Sequence, residues 1–566
     1  MPTCDLRVHP GRYGYLIENA LVDLRENNII DRIWSEDYSV WKPRPDEISN
    51  RLGWLNITRE IYEDAERFRR LALDIKSRDY KDILLLGMGG SSLAPGVFRS
   101  VFGLRDGYPD MAVLDSTDPG AVLYHADRLD PARTLFIVAT KSGTTTETIS
   151  LLKYFYTWVS GRLKKNSAGD HFIAITDPGS NLAGLADRYS FKDKYMNAPD
   201  IGGRFSALSY FGLVPAALIG VDIERILDSS AEMETRCREN DFSTERGNPG
   251  AVLGAVLGSL ACAGRDKLTI VASPGIECFG GWVEQLIAES TGKEGKGILP
   301  VVDEPLGSPG VYGDDRVFVY LKMTGEDSRD DAVTVLEDAG NPVVRISVND
   351  IHDLGGQFFL WEMATAVAGW FLKINPFDQP DVEASKILTG RMLGEYAKAG
   401  RFPDETPVLA CDGVSVYGEP LSDSMKGMLE SFLGQSGPGG YVAIQAYLQP
   451  TDKTDNALGE LRRRIRDKYG LVTTAGYGPR YLHSTGQLHK GDSGRGLFIQ
   501  LTADDTRDAP IPDEIGSERA SVSFSVLKKA QAMGDRNALL NAGRRVIRFH
   551  LGSDIAGGIK KLASEE

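Results

Sequence analysis

Lys81-Asp-Ile-Leu-Leu-Leu-Gly87-Met-Gly-Gly-Ser-Ser-Leu-Ala-Pro-Gly96 carries the pattern on which the fold turns. The apolar run is too short for a buried helix and is stopped by glycine, so it reads as a fully buried strand entering a turn and a helix. Glycines at such a turn let the backbone approach a ligand closely. The helix start then offers free N–H groups and a positive dipole end to an anion. Position 92 is Ser, which breaks a dinucleotide-binding GxGxxG, and the GK[ST] of a Walker loop is absent. Alone, the stretch is either a phosphate loop or a tight packing turn.

The same rhythm extends outward in both directions. Met111–Asp115, Thr134–Ala139 and His171–Asp177 repeat the short apolar run followed by a turn and a helix. Lys267–Ala272, Arg316–Leu321 and Pro342–Ser347 form a second series. Strands alternating with helices predict βαβ units and parallel sheets covered on both faces. A third α/β segment starts near Pro407, with strands at Gly440–Gln445 and Gly496–Leu501, and the tail from about Glu518 reads as helical. The opening residues, with Trp34, Trp41 and Trp54, suit helices. The expected division is a helical region over 1–75, α/β domains over 76–225 and 226–405, and an α/β segment over 406–566.

Composition narrows the class. At 566 residues the chain is too long for one core, and its 42% hydrophobic and 25% charged residues are those of an ordinary globular protein. The net charge of −15 argues against a nucleic-acid or membrane-surface partner, so an anionic substrate must be held by local dipoles and a few placed cations. The basic run Leu461–Arg466 reads as the solvated face of a helix. No secretory leader or membrane-length apolar run is seen, and Cys4, Cys237, Cys262, Cys278 and Cys411 form no CxxC. A cytoplasmic location follows as the expectation.

A second loop sharpens the first. The strand ending at Ala139 runs into Thr140-Lys-Ser-Gly-Thr-Thr-Thr-Glu147. One hydroxyl suffices to cap a helix, whereas this stretch has five hydroxyls and a lysine. The pair, GxGGSxL followed by TKSGTT, resembles the sugar-isomerase (SIS) fold. The resemblance implies two SIS-type parallel-sheet αβα sandwich domains with an N-terminal helical region and an additional C-terminal α/β segment. It also implies that Gly90, Ser91, Thr140, Lys141, Ser142 and Thr145 hold the phosphate of a phosphosugar, and Glu147 is counted with them as a substrate contact.

Three further stretches resemble phosphoglucose isomerases. Ile201-Gly-Gly-Arg204-Phe-Ser matches that family's GGR[FY]S signature. Gln285-Leu-Ile-Ala-Glu289-Ser-Thr-Gly-Lys-Glu-Gly-Lys-Gly297 matches its bacterial QLxxES pattern. Phe377-Asp-Gln379-Pro-Asp-Val-Glu-Ala-Ser-Lys386 matches FDQxGVExxK, with Pro380-Asp381 in place of x-Gly. Moving a carbonyl from C1 to C2 needs a base, a cation beside the developing enediolate, and an acid/base group to open the ring. The resemblance assigns these to Glu289, Arg204 and Lys386, with Gln379 on the substrate; Glu284 and Glu294 are the nearest competitors for the base.

The ring-opening histidine departs from the family order. LHSxGQ ordinarily precedes the lysine signature, yet Leu482-His483-Ser-Thr-Gly-Gln487 follows Lys386 by almost a hundred positions. His483 is the expected residue, delivered by the C-terminal segment, and His352 is the alternative. The His483/His489 pair lacks a third ligand at a recognisable spacing, so no metal and no cofactor is expected. The whole is most like the isomerase half of transaldolase–phosphoglucose isomerase fusions, read here as standing alone. The implied activity is interconversion of glucose 6-phosphate and fructose 6-phosphate. A dual phosphoglucose/phosphomannose isomerase and a non-catalytic phosphosugar-binding regulator remain alternatives. The partner expected is a small phosphosugar, without nucleic acid or membrane, and a homodimer is compatible with the sequence.

Overall fold

Cys4–His9 form a strand, β1, ahead of the helices expected for the N-terminal region. Its apolar alternation is too short to read in isolation. Antiparallel pairing with a strand near residue 345 supplies the ladder that makes it a strand. The computed structural model describes residues 4–163, 165–244 and 247–564. The rest of the N-terminal region is helical or turn, and its tryptophans are anchors. Trp34 Nε1 donates to Cys237 O at 3.1 Å and Trp41 Nε1 to Ala366 O at 2.8 Å, while Trp54 lies 5.3 Å from the ring of Phe205.

The first sheet holds β2 (Asp82–Gly87), β3 (Asp110–Leu114), β4 (Thr134–Ala139), β5 (Phe172–Thr176) and β6 (Asp193–Met196), all parallel. Alternate residues enter different cores: Ile83, Leu85, Leu135 and Ile137 join the large cluster shared with the N-terminal helices. Leu84, Leu86, Phe136 and Val138 join a second cluster on the opposite face. Burial on both faces is why these strands read as unbroken apolar runs.

The second sheet is built from β7 (Lys267–Ala272), β8 (Leu299–Val301), β9 (Arg316–Met323) and β10 (Val343–Val348), with β1 on its outer edge. The helix Leu354–Leu372 is buried on almost every side. It lies against the helix Pro249–Cys262, where Gly250, Gly254 and Gly258 leave room for Met363, Val367 and Phe371.

The C-terminal segment makes a third sheet. Its strands are β11 (Leu409–Cys411), β12 (Val414–Tyr417), β13 (Tyr441–Tyr447), β14 (Val472–Tyr477) and β15 (Gly496–Thr502). A small ribbon of β16 (Pro510–Ile511) and β17 (Val522–Ser523) precedes β18 (Arg545–His550). The tail is thus not purely helical: β18 lies between β12 and β15. Its flanking arginines and histidine hid a strand whose Val546, Ile547 and Phe549 are buried.

The three orders are β3-β2-β4-β5-β6, β1-β10-β9-β7-β8 and β11-β12-β18-β15-β13-β14. In each parallel portion the first strand in sequence sits between the second and the third. That arrangement opens a crevice beyond the carboxyl ends of the first and third strands, where ligands bind in doubly wound sheets. In the first sheet the two strands are β2 and β4.

The basic run Leu461–Arg466 is not a solvated face. It lies in the helix Asp452–Tyr469, and both Arg462 and Arg466 are buried. Arg462 Nη2 donates to Val302 O at 2.8 Å and to Thr473 O at 3.0 Å, and Arg466 donates to Pro305 O. Guanidinium groups can be buried this way because backbone carbonyls take up their several N–H donors.

Candidate active site

Register sets the first wall. Gly87 pairs with Ala139, so the glycine turn after β2 and the hydroxyl-rich turn after β4 leave the sheet side by side. In the second turn Thr140 and Thr145 hydroxyls lie 2.9 Å apart, and Ser142 Oγ lies 3.0 Å from Thr144 Oγ1. Lys141 is held by Asp177 and donates to Pro199 O at 2.8 Å. The turn needs glycine: Gly143 has φ +70°, and a side chain there would meet the backbone of Asn181 and Leu182.

The glycine turn is pressed into the rest of the site. A Cβ on Gly90 would stand 1.9 Å from Gly203 O, and one on Gly89 would meet Gln285 Nε2 and His483 O, each at 2.8 Å. The glycines therefore allow the turn after β2, the GGR turn and the histidine segment to meet. Ser91 is buried beside them.

Arg204 and Glu289 form the second wall. Glu289 stands near the C-terminus of the helix Phe279–Thr291, and its Oε1 lies 3.1 Å from Arg204 Nη1. Arg204 is buried and fully engaged: Nε donates to Ser290 Oγ (2.7 Å), Nη1 to Gln379 Oε1 (2.9 Å), and Nη2 to Pro376 O (2.7 Å) and Asp378 O (3.0 Å). Burial pulls its pKa below the ordinary range while the Glu289 carboxylate opposes the shift. A guanidinium fixed by five contacts keeps its charge at one place, as stabilising an oxyanion requires.

His483 forms the third wall, on the turn that follows β14. Its Nε2 lies 3.1 Å from Glu147 Oε1. Burial disfavours the charged imidazole, but Glu147 outweighs it and the His483 pKa rises above the usual value. Burial likewise opposes ionisation of Glu147, and His483 reverses the effect, so that carboxyl falls below its usual range. Glu147, expected as a substrate contact, lies against His483. His352 contacts Asp350 (2.6 Å) and the ring of Phe102 instead, both outside this cluster.

Lys386 stands apart. It lies in the helix Val382–Ala399, its side chain is 59% exposed, and its partner is Glu383 at 3.5 Å. Its charge still reaches Glu147 and His483, which places it at the rim. Of the competing glutamates, Glu294 pairs with Lys42, and Glu284 lies among Arg480, Asp303 and Arg462.

Several participants escaped the sequence reading. Gln285 donates to Glu289 Oε2 at 3.0 Å and to His483 O at 2.8 Å, linking base to histidine. Its position one helical turn before Glu289 was the available signal. Lys293 is buried against Asp378, and burial together with nearby Arg204 lowers it to about 8. Gln487 ties Gly292 O (2.9 Å) to Asp381, whose N–H and carboxylate it contacts at 2.9 and 2.6 Å. Asp381, which departs from the family motif, therefore has a partner in the histidine segment.

The arrangement can bind a phosphate at one end, remove a carbon-bound proton at the other, and hold an imidazole nearby. A family model described as phosphoglucose isomerase matches residues 66–304. The glucose-6-phosphate isomerase of Rubrobacter xylanophilus is 31% identical over 398 residues, which cover 62% of this chain and 89% of that protein. A probable glucose-6-phosphate isomerase of Methanococcus maripaludis is 28% identical, over 61% of this chain and 85% of that one. Two solved structures share the fold. A hypothetical protein from Thermus thermophilus has TM-score 0.58 and 23% identity, covering 69% of this chain and 99% of its own. A glucose-6-phosphate isomerase from Chlamydia trachomatis has TM-score 0.57 and 18% identity, covering 68% and 87%.

Proposed function

Because the chain belongs to the phosphoglucose isomerase family, we propose that it interconverts glucose 6-phosphate and fructose 6-phosphate through an enediolate, without a metal ion. The observation that carries this reading is the Glu289 carboxylate, 3.1 Å from the buried Arg204 guanidinium and bridged by Gln285 to the His483 segment. The Ser91 and Thr140–Thr145 turns hold the phosphate by hydroxyls, N–H groups and Lys141. His483, poised by Glu147 and joined by Lys386 from the rim, moves the proton that opens the ring. Glu289 takes the proton from C2 of the aldose and returns it to C1, and Arg204 balances the charge on the oxygens meanwhile. A phosphosugar sensor has no use for this acid/base set.

We place the enzyme in the cytoplasm. The thiols of Cys262, Cys278 and Cys411, which form no disulfide among the described residues, support this. No described helix is long and apolar enough to cross a membrane. The test is a coupled assay with fructose 6-phosphate and with mannose 6-phosphate, each with and without EDTA. Turnover of fructose 6-phosphate that EDTA leaves intact is expected. Absence of turnover overturns the isomerase reading, and loss in EDTA overturns its metal independence.

A further inference from the structure

Glu147 has a second buried partner that comes from the far end of the chain. Gln531, in the helix Phe524–Asn541, donates from Nε2 to Glu147 Oε1 at 2.7 Å, the same oxygen that His483 Nε2 contacts. The Gln531 carbonyl accepts from the Thr117 hydroxyl, also at 2.7 Å. An ionised carboxylate only accepts, so the amide nitrogen must face Glu147 and the oxygen must face Thr117. One helical turn earlier, Lys528 is buried between Asp118 (2.8 Å) and Asp505. Asp118 caps the helix that follows β3, so Lys528 locks the Gln531 helix onto the first sheet.

We propose that Gln531 is a positioning residue for the ring-opening pair, holding Glu147 Oε1 where His483 Nε2 reaches it. The C-terminal segment then supplies both the imidazole and the anchor of the imidazole's partner. The inference rests on the isomerase reading for its catalytic meaning, but its geometry stands without it. Besides Gln531, Glu147 is faced by His483 from the turn after β14, by Lys386 from the helix Val382–Ala399 and by Tyr447 from β13; His483 is also faced by Glu289. Removing the Gln531 N–H takes a hydrogen bond from the anionic form of Glu147. The carboxylate then holds its proton, and that of His483, to higher pH.

The test compares the full-length protein with Gln531→Met, which keeps the length and loses the amide, and Thr117→Val, which loses only the hydroxyl orienting it. The His483 ring is titrated by NMR, its signal assigned by its absence in His483→Ala, and kcat and KM for fructose 6-phosphate are followed against pH. In Gln531→Met the His483 midpoint is expected to move upward, with the matching limb of the kcat/KM profile. We expect kcat to fall roughly tenfold to a hundredfold, part of the ~10²–10⁴ that a placed acid/base group supplies, with KM held within about twofold. Thr117→Val should move the midpoint the same way by less. An unmoved His483 titration in both variants overturns the proposal, as does a kcat loss equal at all pH values. Should Gln531→Met not fold, an unmoved titration in Thr117→Val overturns it alone. The titration needs no turnover, so an inactive wild type would count against the isomerase reading and leave this one standing or falling by itself.

Discussion

Glu289 owes its position to neighbours one turn away and to one arginine. Gln285 and Arg204 occupy its two oxygens, leaving the carboxylate oriented but only 14% exposed. Glu289→Gln removes the carboxylate to which the isomerase reading gives the carbon-bound proton, with little change in shape. We expect conversion of fructose 6-phosphate to fall by about 10²–10⁴ while binding of a phosphosugar inhibitor changes by no more than a few-fold, measured by steady-state kinetics and calorimetry. Full activity in that variant would remove Glu289 from the mechanism. At this scale motifs were informative: Arg204, Glu289, Gln379 and His483 were named from their signatures, and all four meet within a chain of hydrogen bonds and one ion pair. Lys386 was named with equal reason and stands at the rim. A motif records spacing along the chain, whereas the direction of a long exposed side chain depends on what packs beside it.

Elements behave differently, because their burial is collective. The helix Leu354–Leu372 is buried almost throughout, and within it Glu362 is fully buried with neither carboxylate oxygen hydrogen-bonded to the described residues. Burial alone holds its carboxyl well above the usual range. The unfolded chain ionises this group near the ordinary glutamate value of 4.5, whereas the folded chain keeps the proton to higher pH. The folded state therefore binds more protons, and Glu362 costs increasing stability as pH rises above about 4.5. Glu362→Gln should abolish that dependence, so the Tm advantage of the variant should widen between about pH 5 and about pH 8. A gap that stays constant over that range would show the carboxyl to be ionised in the fold. In the sequence, a single glutamate within an apolar run looks no different from a solvent-facing one.

The whole molecule depends on the docking of the third sheet. Arg462 joins the second and third sheets by donating to Val302 O, Asp303 O and Thr473 O. Arg462→Met would leave those carbonyls without their charged donor, at a cost of about 2–5 kcal/mol. Calorimetry should show a lower Tm. Kinetics should show a larger loss on ring-form substrate than on the open-chain form, because His483 belongs to the docked segment. Equal losses on both forms would separate docking from ring opening.

Strand-helix rhythm, the glycine turn, the hydroxyl-rich turn and the family signatures were all legible in the chain, because each depends on residues within a few positions of one another. Where β1 and β18 found their strand partners, why Arg462 and Arg466 are buried, and how Glu147 came to share one oxygen between His483 and Gln531 were decided only by tertiary structure. Each joins segments that lie far apart in the chain. Local spacing carries no record of which distant backbone or carboxylate a side chain will meet; that depends on how the three sheets pack together.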